Sequence, residues 1–373
     1  MTLIAGFPSS GTPVLIGDLL TSNDSGPSGF AKKILIIREN FALGWTGHMI
    51  AAQSVIRSLQ SSLNPKSIKL ETVKAILTDP ATSDLGSLRV QLVCYVIDSD
   101  GHHCLFWDSH EPMVLSLKPS HYAGSGASTA LHIVGSDGFH FSSPPDGPPD
   151  PHQVERGALA VTSRLMDYEM WGPSTKALGF GHAYEIIRLV GGKRFKYIDN
   201  ALYVPILVEL DETGRYLKNH FGTAFFKYHA YGNCSVIYIK KPTASPIDVQ
   251  LIEPLGEKSP QADEIAQELV NKKPPYLYPF KSDYYCFVVV LRSPKFLTPP
   301  FSVIIPEDEV EIAADTIVRM NISNKFFEIE LNRNWAESSY KIIRERETNA
   351  HRSDYSVTGS GVLYQIPPSR PSR

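Results

Sequence analysis

Short apolar runs broken by turn residues open the chain. Thr2–Phe7 and Val14–Asp18 read as two strands joined through Pro8-Ser9-Ser10-Gly11, and the Ser-, Gly- and Asn-containing stretch Thr21–Gly29 reads as a loop. Lys33–Arg38 and Phe41–Trp45 flank Glu39-Asn40 as a hairpin. The period then changes. Ala52, Val55, Ile56 and Leu59 recur at helical spacing and predict an amphipathic helix over about residues 48–62. Leu70, Val73, Ala75, Ile76 and Leu77 predict a second over 69–79, ended by Asp79-Pro80. Strands return at Leu88–Ile97 and Cys104–Trp107, around the turn Ser99-Asp100-Gly101, and at Val114–Leu117. Ser128–Val134 and Gln153–Trp171 read as helices on either side of the Pro-rich loop Ser142–His152. Ala183–Val190 and Arg194–Ile198 form a hairpin across Gly191-Gly192.

Strands and helices thus come in segregated runs, which points to an α+β layered fold rather than alternating βαβ units. Beyond about residue 200 the pattern turns to short punctuated strands: Tyr203–Leu210, Ala224–His229, Ser235–Lys240, Val249–Ile252, Tyr284–Leu291, Phe301–Ile305 and Phe326–Leu331. One helix, Gln261–Asn271, interrupts them. This part reads as a mainly-β C-terminal domain over 201–345, with the strand spacing of a sandwich. The polar stretch 346–373 reads as a disordered tail. A chain of 373 residues accommodates about two domains.

Composition narrows the function classes. With 42% hydrophobic and 20% charged residues there is material for a large core. A net charge of -3 argues against a nucleic-acid partner. No apolar run approaches the ~20 residues of a membrane span, and Met1–Phe7 lacks the basic and apolar regions of a secretory signal. Cys94, Cys104, Cys234 and Cys286 are scattered, the 12 histidines form no H-E-x-x-H pattern, and His102-His103 sits at a hairpin tip. Neither a metal site nor a cofactor is indicated, and a cytoplasmic setting is the simple expectation.

Thr2 is the first candidate for chemistry. Loss of Met1 would place its hydroxyl beside a free α-amine of pKa about 8, so one residue would supply nucleophile and base. Taken singly, Thr2 is an ordinary second residue, Asp18 a turn former, Lys32-Lys33 an exposed strand start, Gly47 a turn before a helix, and Trp45 a buried strand aromatic.

Together they form an ordered set. Thr2-Leu3-Ile4-Ala5-Gly6, Gly11 and Val14-Leu15-Ile16-Gly17-Asp18 are followed by Lys32-Lys33-Ile34, Gly44-Trp45-Thr46-Gly47 and Gly124-Ser125-Gly126. Asp18 lies sixteen positions after Thr2, and Gly47 fourteen after Lys33. This series resembles proteasome β-type subunits and the bacterial HslV-type peptidases, which are amino-terminal-nucleophile hydrolases. The resemblance covers a little over half the chain. It implies a four-layer αββα sandwich over residues 2–200, with Thr2 as nucleophile, Lys33 lowering the pKa of the hydroxyl or amine and Asp18 orienting Lys33. It also implies Gly47 as the oxyanion donor, Ser125 orienting the amine or relaying a proton, and Trp45 in the substrate pocket, narrowing it toward small residues.

One departure stands out. The active family carries an Asp-x-x-Ser-Gly-Gly run that supports the threonine amine; here the matching stretch is Lys176-Ala177-Leu178-Gly179-Phe180-Gly181, without the aspartate and serine. The resemblance implies a threonine-type peptide or amide hydrolase working through an acyl-enzyme. It further implies a homo-oligomer, ring-shaped in the relatives, and an ATPase partner. Two alternatives stay open: an inactive proteasome-like scaffold or binding protein, and a small-molecule amidase on the same fold.

Overall fold

The computed structural model describes residues 2–23, 26–64, 68–136, 152–170, 181, 183–222, 224–229, 235–240, 248–252, 282–322 and 327–350. In chain order the first half holds β1 (Ile4–Ser9), β2 (Thr12–Asp18), β3 (Leu20–Asn23), β4 (Gly26–Phe30), β5 (Ile34–Arg38), β6 (Phe41–Gly47), α1 (Met49–Ser62), α2 (Leu70–Thr78) and α3 (Pro80–Ser83). Then come β7 (Val90–Asp98), β8 (Gly101–Asp108), β9 (Ser116–Leu117), β10 (His121–Ala123), α4 (Ala127–Ser136), α5 (Gln153–Met170), β11 (Tyr184–Val190) and β12 (Arg194–Tyr197). The second half holds β13 (Ala201–Leu210), β14 (Tyr216–Phe221), β15 (Ala224–His229), β16 (Ser235–Lys240), β17 (Asp248–Ile252), β18 (Tyr284–Arg292) and β19 (Phe301–Pro306). It closes with α6 (Val310–Thr316), β20 (Val318–Ile322), β21 (Phe327–Leu331) and α7 (Arg333–Ala350).

β1 and β2 pair around Ser10-Gly11, whose positive φ values of 48° and 76° suit a two-residue hairpin turn. They lie inside a five-stranded sheet of order β10-β1-β2-β11-β12, and a second five-stranded sheet runs β5-β6-β7-β8-β9. Side chains alternate between two environments. Leu3, Ala5, Val14 and Ile16 face a cluster with Leu159, Leu165 and Met166 of α5 and Ala130 of α4. Ile4 and Leu15 face the other way, into a cluster with Ile34, Ala42 and Val93 of the second sheet. Both faces are buried, so these strands read as continuous apolar runs. Glycines let the sheets approach: a Cβ on Gly17 would stand 2.6 Å from Ile34, and one on Gly44 2.5 Å from Ile4. The outer face of the second sheet, with Leu43, Leu92 and Trp107, packs on Ala52, Val55, Leu59, Val73 and Leu77 of α1 and α2.

A third sheet of seven strands runs β17-β16-β15-β13-β18-β19, with β14 also on β13; β13 and β18 are parallel and the other pairs antiparallel. Leu202, Val204, Ile206 and Val208 face a cluster containing Ala336, Tyr340 and Ile343 of α7, while Ala201 and Tyr203 join the α5 cluster. The division expected near residue 200 falls between β12 and β13, yet one packed cluster crosses it. Thr162 on α5 hydrogen-bonds Tyr203 at 3.1 Å, and Arg156 donates to the Ile304 carbonyl and pairs with Glu309.

Three expectations change. Thr21–Gly29 contributes the hairpin β3–β4 rather than a plain loop. Among the described residues the C-terminal part is a mixed seven-stranded sheet with a separate β20–β21 ribbon, not two packed sheets: α5 covers one face of its long apolar strands, and α6, α7 and the ribbon the other. Residues 346–350, expected in the tail, belong to α7, which runs to Ala350. Its buried stripe among the described residues is Ala336, Ser339, Tyr340 and Ile343, so composition hides it among solvated positions. Gln261–Asn271, residues 351–373 and most of Ser142–His152 lie outside the described residues. Among the described residues no helix is long and apolar enough to cross a membrane.

Candidate functional site

The start of β1, the end of β2 and the approach to β5 meet at Asp18. Its Oδ1 accepts from the Thr2 hydroxyl at 2.7 Å, the Leu3 amide at 2.8 Å and Lys33 Nζ at 2.8 Å; its Oδ2 accepts from the Gly181 amide at 2.8 Å. Strand pairing fixes this geometry, since Ile4 lies opposite Gly17 and the Asp18 amide donates to the Leu3 carbonyl at 3.1 Å. Thr2, Asp18 and Lys33 are 3%, 0% and 2% exposed.

The Thr2 hydroxyl and the Lys33 ammonium share one carboxylate oxygen instead of bonding each other directly. Lys33 also donates to the Leu20 carbonyl. Burial lowers the Lys33 pKa, and the charge and hydrogen bond of Asp18 pull it partly back. Such a lysine gives up its proton more readily than an exposed one.

Ser125 reaches the same residue differently. Its hydroxyl donates to the Thr2 carbonyl at 3.4 Å, beside the Gly126 amide at 3.2 Å. Gly124 has φ +85°, and a Cβ there would stand 2.0 Å from the Thr2 carbonyl oxygen. The Gly124-Ser125-Gly126 turn therefore clasps the nucleophile candidate by its backbone. Gly47 ends β6 with φ +104°, where a Cβ would meet the Arg89 carbonyl at 2.1 Å. Trp45 is buried in the cluster under α1 and α2. Its indole N–H donates to the Lys32 carbonyl at 3.0 Å and its amide to the Lys33 carbonyl at 2.9 Å. In this structure the indole anchors the lysine pair from within the core.

No protein-family model matches the chain, and no curated protein matches it.

The lysine pair is not an exposed strand start. Lys32, passed over in the sequence, is buried, 3.3 Å from the equally buried Glu185 on β11, with Nζ 4.3 Å from the Tyr197 ring centroid. Ser235 on β16 donates to the same Glu185 oxygen. The Tyr197 hydroxyl donates to the Ile34 carbonyl at 3.1 Å. Desolvation, then the Glu185 charge, holds the phenol well above its ordinary pKa, so it stays protonated. The signal available beforehand was a lone glutamate in the apolar run Tyr184-Glu185-Ile186-Ile187. Of the Lys176–Gly181 stretch only Gly181 is described, and its amide supports Asp18.

Cys94, Cys104 and Cys286 are buried free thiols, and Cys234 lies outside the described residues. His103 Nε2 sits 3.0 Å from Asp98 at the hairpin tip. Among the described residues no group of three or more His, Cys, Asp and Glu could hold a metal ion.

Proposed function

We propose that the chain is an amino-terminal-nucleophile hydrolase of the proteasome β-type kind, cutting peptide or amide bonds with Thr2. The observation that carries this reading is the convergence of the Thr2 hydroxyl and Lys33 on one buried Asp18 oxygen. The helix–sheet–sheet–helix packing of residues 2–200 supports the αββα sandwich of that superfamily.

In this mechanism Thr2, with a free α-amine, gives its hydroxyl proton to that amine as Oγ1 forms a bond to the substrate carbonyl carbon. Lys33, with its lowered affinity for the proton, favours the neutral amine by its positive charge, and Asp18 holds Lys33 and the hydroxyl in place. The Gly47 amide receives the oxyanion, a contribution worth about 3 kcal/mol. The C–N bond breaks, the leaving amine takes the proton, and an ester remains on Thr2. Water, deprotonated by the Thr2 α-amine, attacks the ester, and the amine returns that proton to Oγ1 as the acid is released and the hydroxyl restored. Ser125 acts through the Thr2 carbonyl it holds. A cytoplasmic homo-oligomer, ring-shaped and served by an ATPase, belongs to the same proposal.

The test is intact mass after exposure to a β-lactone, which acylates a nucleophilic hydroxyl with retention of its whole mass. We expect loss of Met1 and one adduct, mapped to Thr2 and abolished in Thr2→Ala. Protein from the natural host that keeps Met1 and takes no adduct overturns the hydrolase. The near-complete burial of Thr2 favours a second reading, an inactive scaffold on the same fold, and that result would select it.

A further inference from the structure

We infer that the third sheet is part of the site: Ser235, acting through Glu185 and Lys32, positions Lys33 against Asp18. The consequence for catalysis rests on the hydrolase reading above; the positioning of Lys33 does not.

Two buried ion pairs rest on consecutive lysines, Lys32 with Glu185 and Lys33 with Asp18, at 3.3 and 2.8 Å. All four side chains are 0–2% exposed. The carboxylates sit on adjacent strands at diagonal positions, Glu185 opposite Gly17 and Tyr184 opposite Asp18 in the β11–β2 ladder, so they leave opposite faces of the first sheet as their consecutive lysines do. One peptide bond and one strand ladder thus lock the two pairs together, and displacing one displaces the other.

Buried charges are tolerated only when paired and hydrogen-bonded. Glu185 takes one of its hydrogen bonds, to the oxygen that faces Lys32, from outside the first two sheets. Ser235 is fully buried at the start of β16, opposite His229 of β15 and Ile252 of β17, and donates to the oxygen that Lys32 faces. The Tyr197 ring backs Lys32, and its hydroxyl with the Trp45 indole ties down the main chain on both sides of Lys33. Lys33 meets Asp18 directly and Thr2 through the shared oxygen, while the Lys32–Glu185 pair, backed by Tyr197, reaches it through the Lys32–Lys33 peptide bond.

Ser235 and Glu185 are therefore positioning residues. They touch no reacting atom. Removing the Ser235 hydroxyl leaves Glu185 one donor short, loosens Lys32, and slackens the Asp18 contact that keeps the proton on Lys33 against burial.

The experiment uses the full chain as wild type, Ser235→Ala and Ser235→Thr. The Lys33 titration midpoint is read by 15N NMR of lysine-labelled protein, assigned with Lys33→Arg, and β-lactone acylation of Thr2 is followed across pH. Far-UV circular dichroism checks that each variant folds. Ser235→Ala should lower the Lys33 midpoint by about one unit and the maximal acylation rate roughly tenfold, leaving half-saturation by the lactone unchanged. Ser235→Thr should restore both. A folded Ser235→Ala with a wild-type Lys33 midpoint overturns the inference, as does a Ser235→Thr that fails to restore it. If wild-type Thr2 takes no lactone, the hydrolase reading fails, and the Lys33 midpoints still decide the positioning role.

Discussion

At the scale of residues, Asp18 governs the centre, and the test of its arrangement is what happens when Lys33 loses its charge. Lys33→Met leaves a buried carboxylate with hydrogen bonds but no cation, a loss of about 3–5 kcal/mol. The pH dependence follows from burial. The folded pKa of Lys33 lies below its unfolded value of about 10.4, so the unfolded chain binds more proton between the two. The Lys33 contribution to stability is full above about pH 10.4 and falls away as pH drops through the lowered folded value. Urea unfolding should therefore show the gap between wild type and Lys33→Met widening as pH rises toward 10.4; a flat or narrowing gap contradicts the burial argument. Thr2, Asp18 and Lys33 stood out in the sequence only as an ordered series that resembles a family pattern; taken singly none of them does. Lys32, Glu185 and Ser235 did not stand out. Ser235 lies fifty residues from Glu185 and on another sheet, and a lysine near a strand start reads as solvated until its partner is known.

At the scale of elements, periodicity carried most of the first half. The helices α1, α2, α4 and α5 sit where apolar spacing puts them, within a few residues. What it missed is narrow or short. β10 has three residues, and α7 buries a thin stripe in a polar sequence. Tyr340 makes that stripe matter. Its ring meets Phe296 edge-on at 5.8 Å, its hydroxyl lies 2.7 Å from Ser293 Oγ, and Gly214 packs so close that a Cβ there would stand 2.9 Å away. Tyr340→Ala should cost about 3–5 kcal/mol in urea unfolding. Tyr340→Phe keeps the packing and should lose only the hydroxyl contact, about 1 kcal/mol. An alanine variant within 0.5 kcal/mol of wild type would return α7 to the status of a tail.

At the scale of the whole molecule, length suggested two units and the structure shows layers. α1 and α2, the second sheet, the first sheet, α4 and α5, the third sheet, and α7 follow one another, and α5 is shared. On one side it covers Leu3, Val14 and Ile16; on the other it meets Tyr203, Cys286 and Ile304. Residues 1–200 cut off from the rest would expose that second side of α5 and strip Ser235 from Glu185. Such an apolar face in water, with a buried carboxylate short of its donor, favours a loosely packed or associating state. A chain ended at Asn200 should therefore bind a hydrophobic dye, lose near-UV circular dichroism while keeping far-UV signal, and elute as aggregate. A monodisperse fragment that unfolds cooperatively and keeps the wild-type Lys33 midpoint would instead make the third sheet an appendage. The outcome decides whether residues beyond 200 serve a separate task or complete the unit that holds Thr2, Asp18 and Lys33 together. The shared helix and the Ser235–Glu185 bond favour completion.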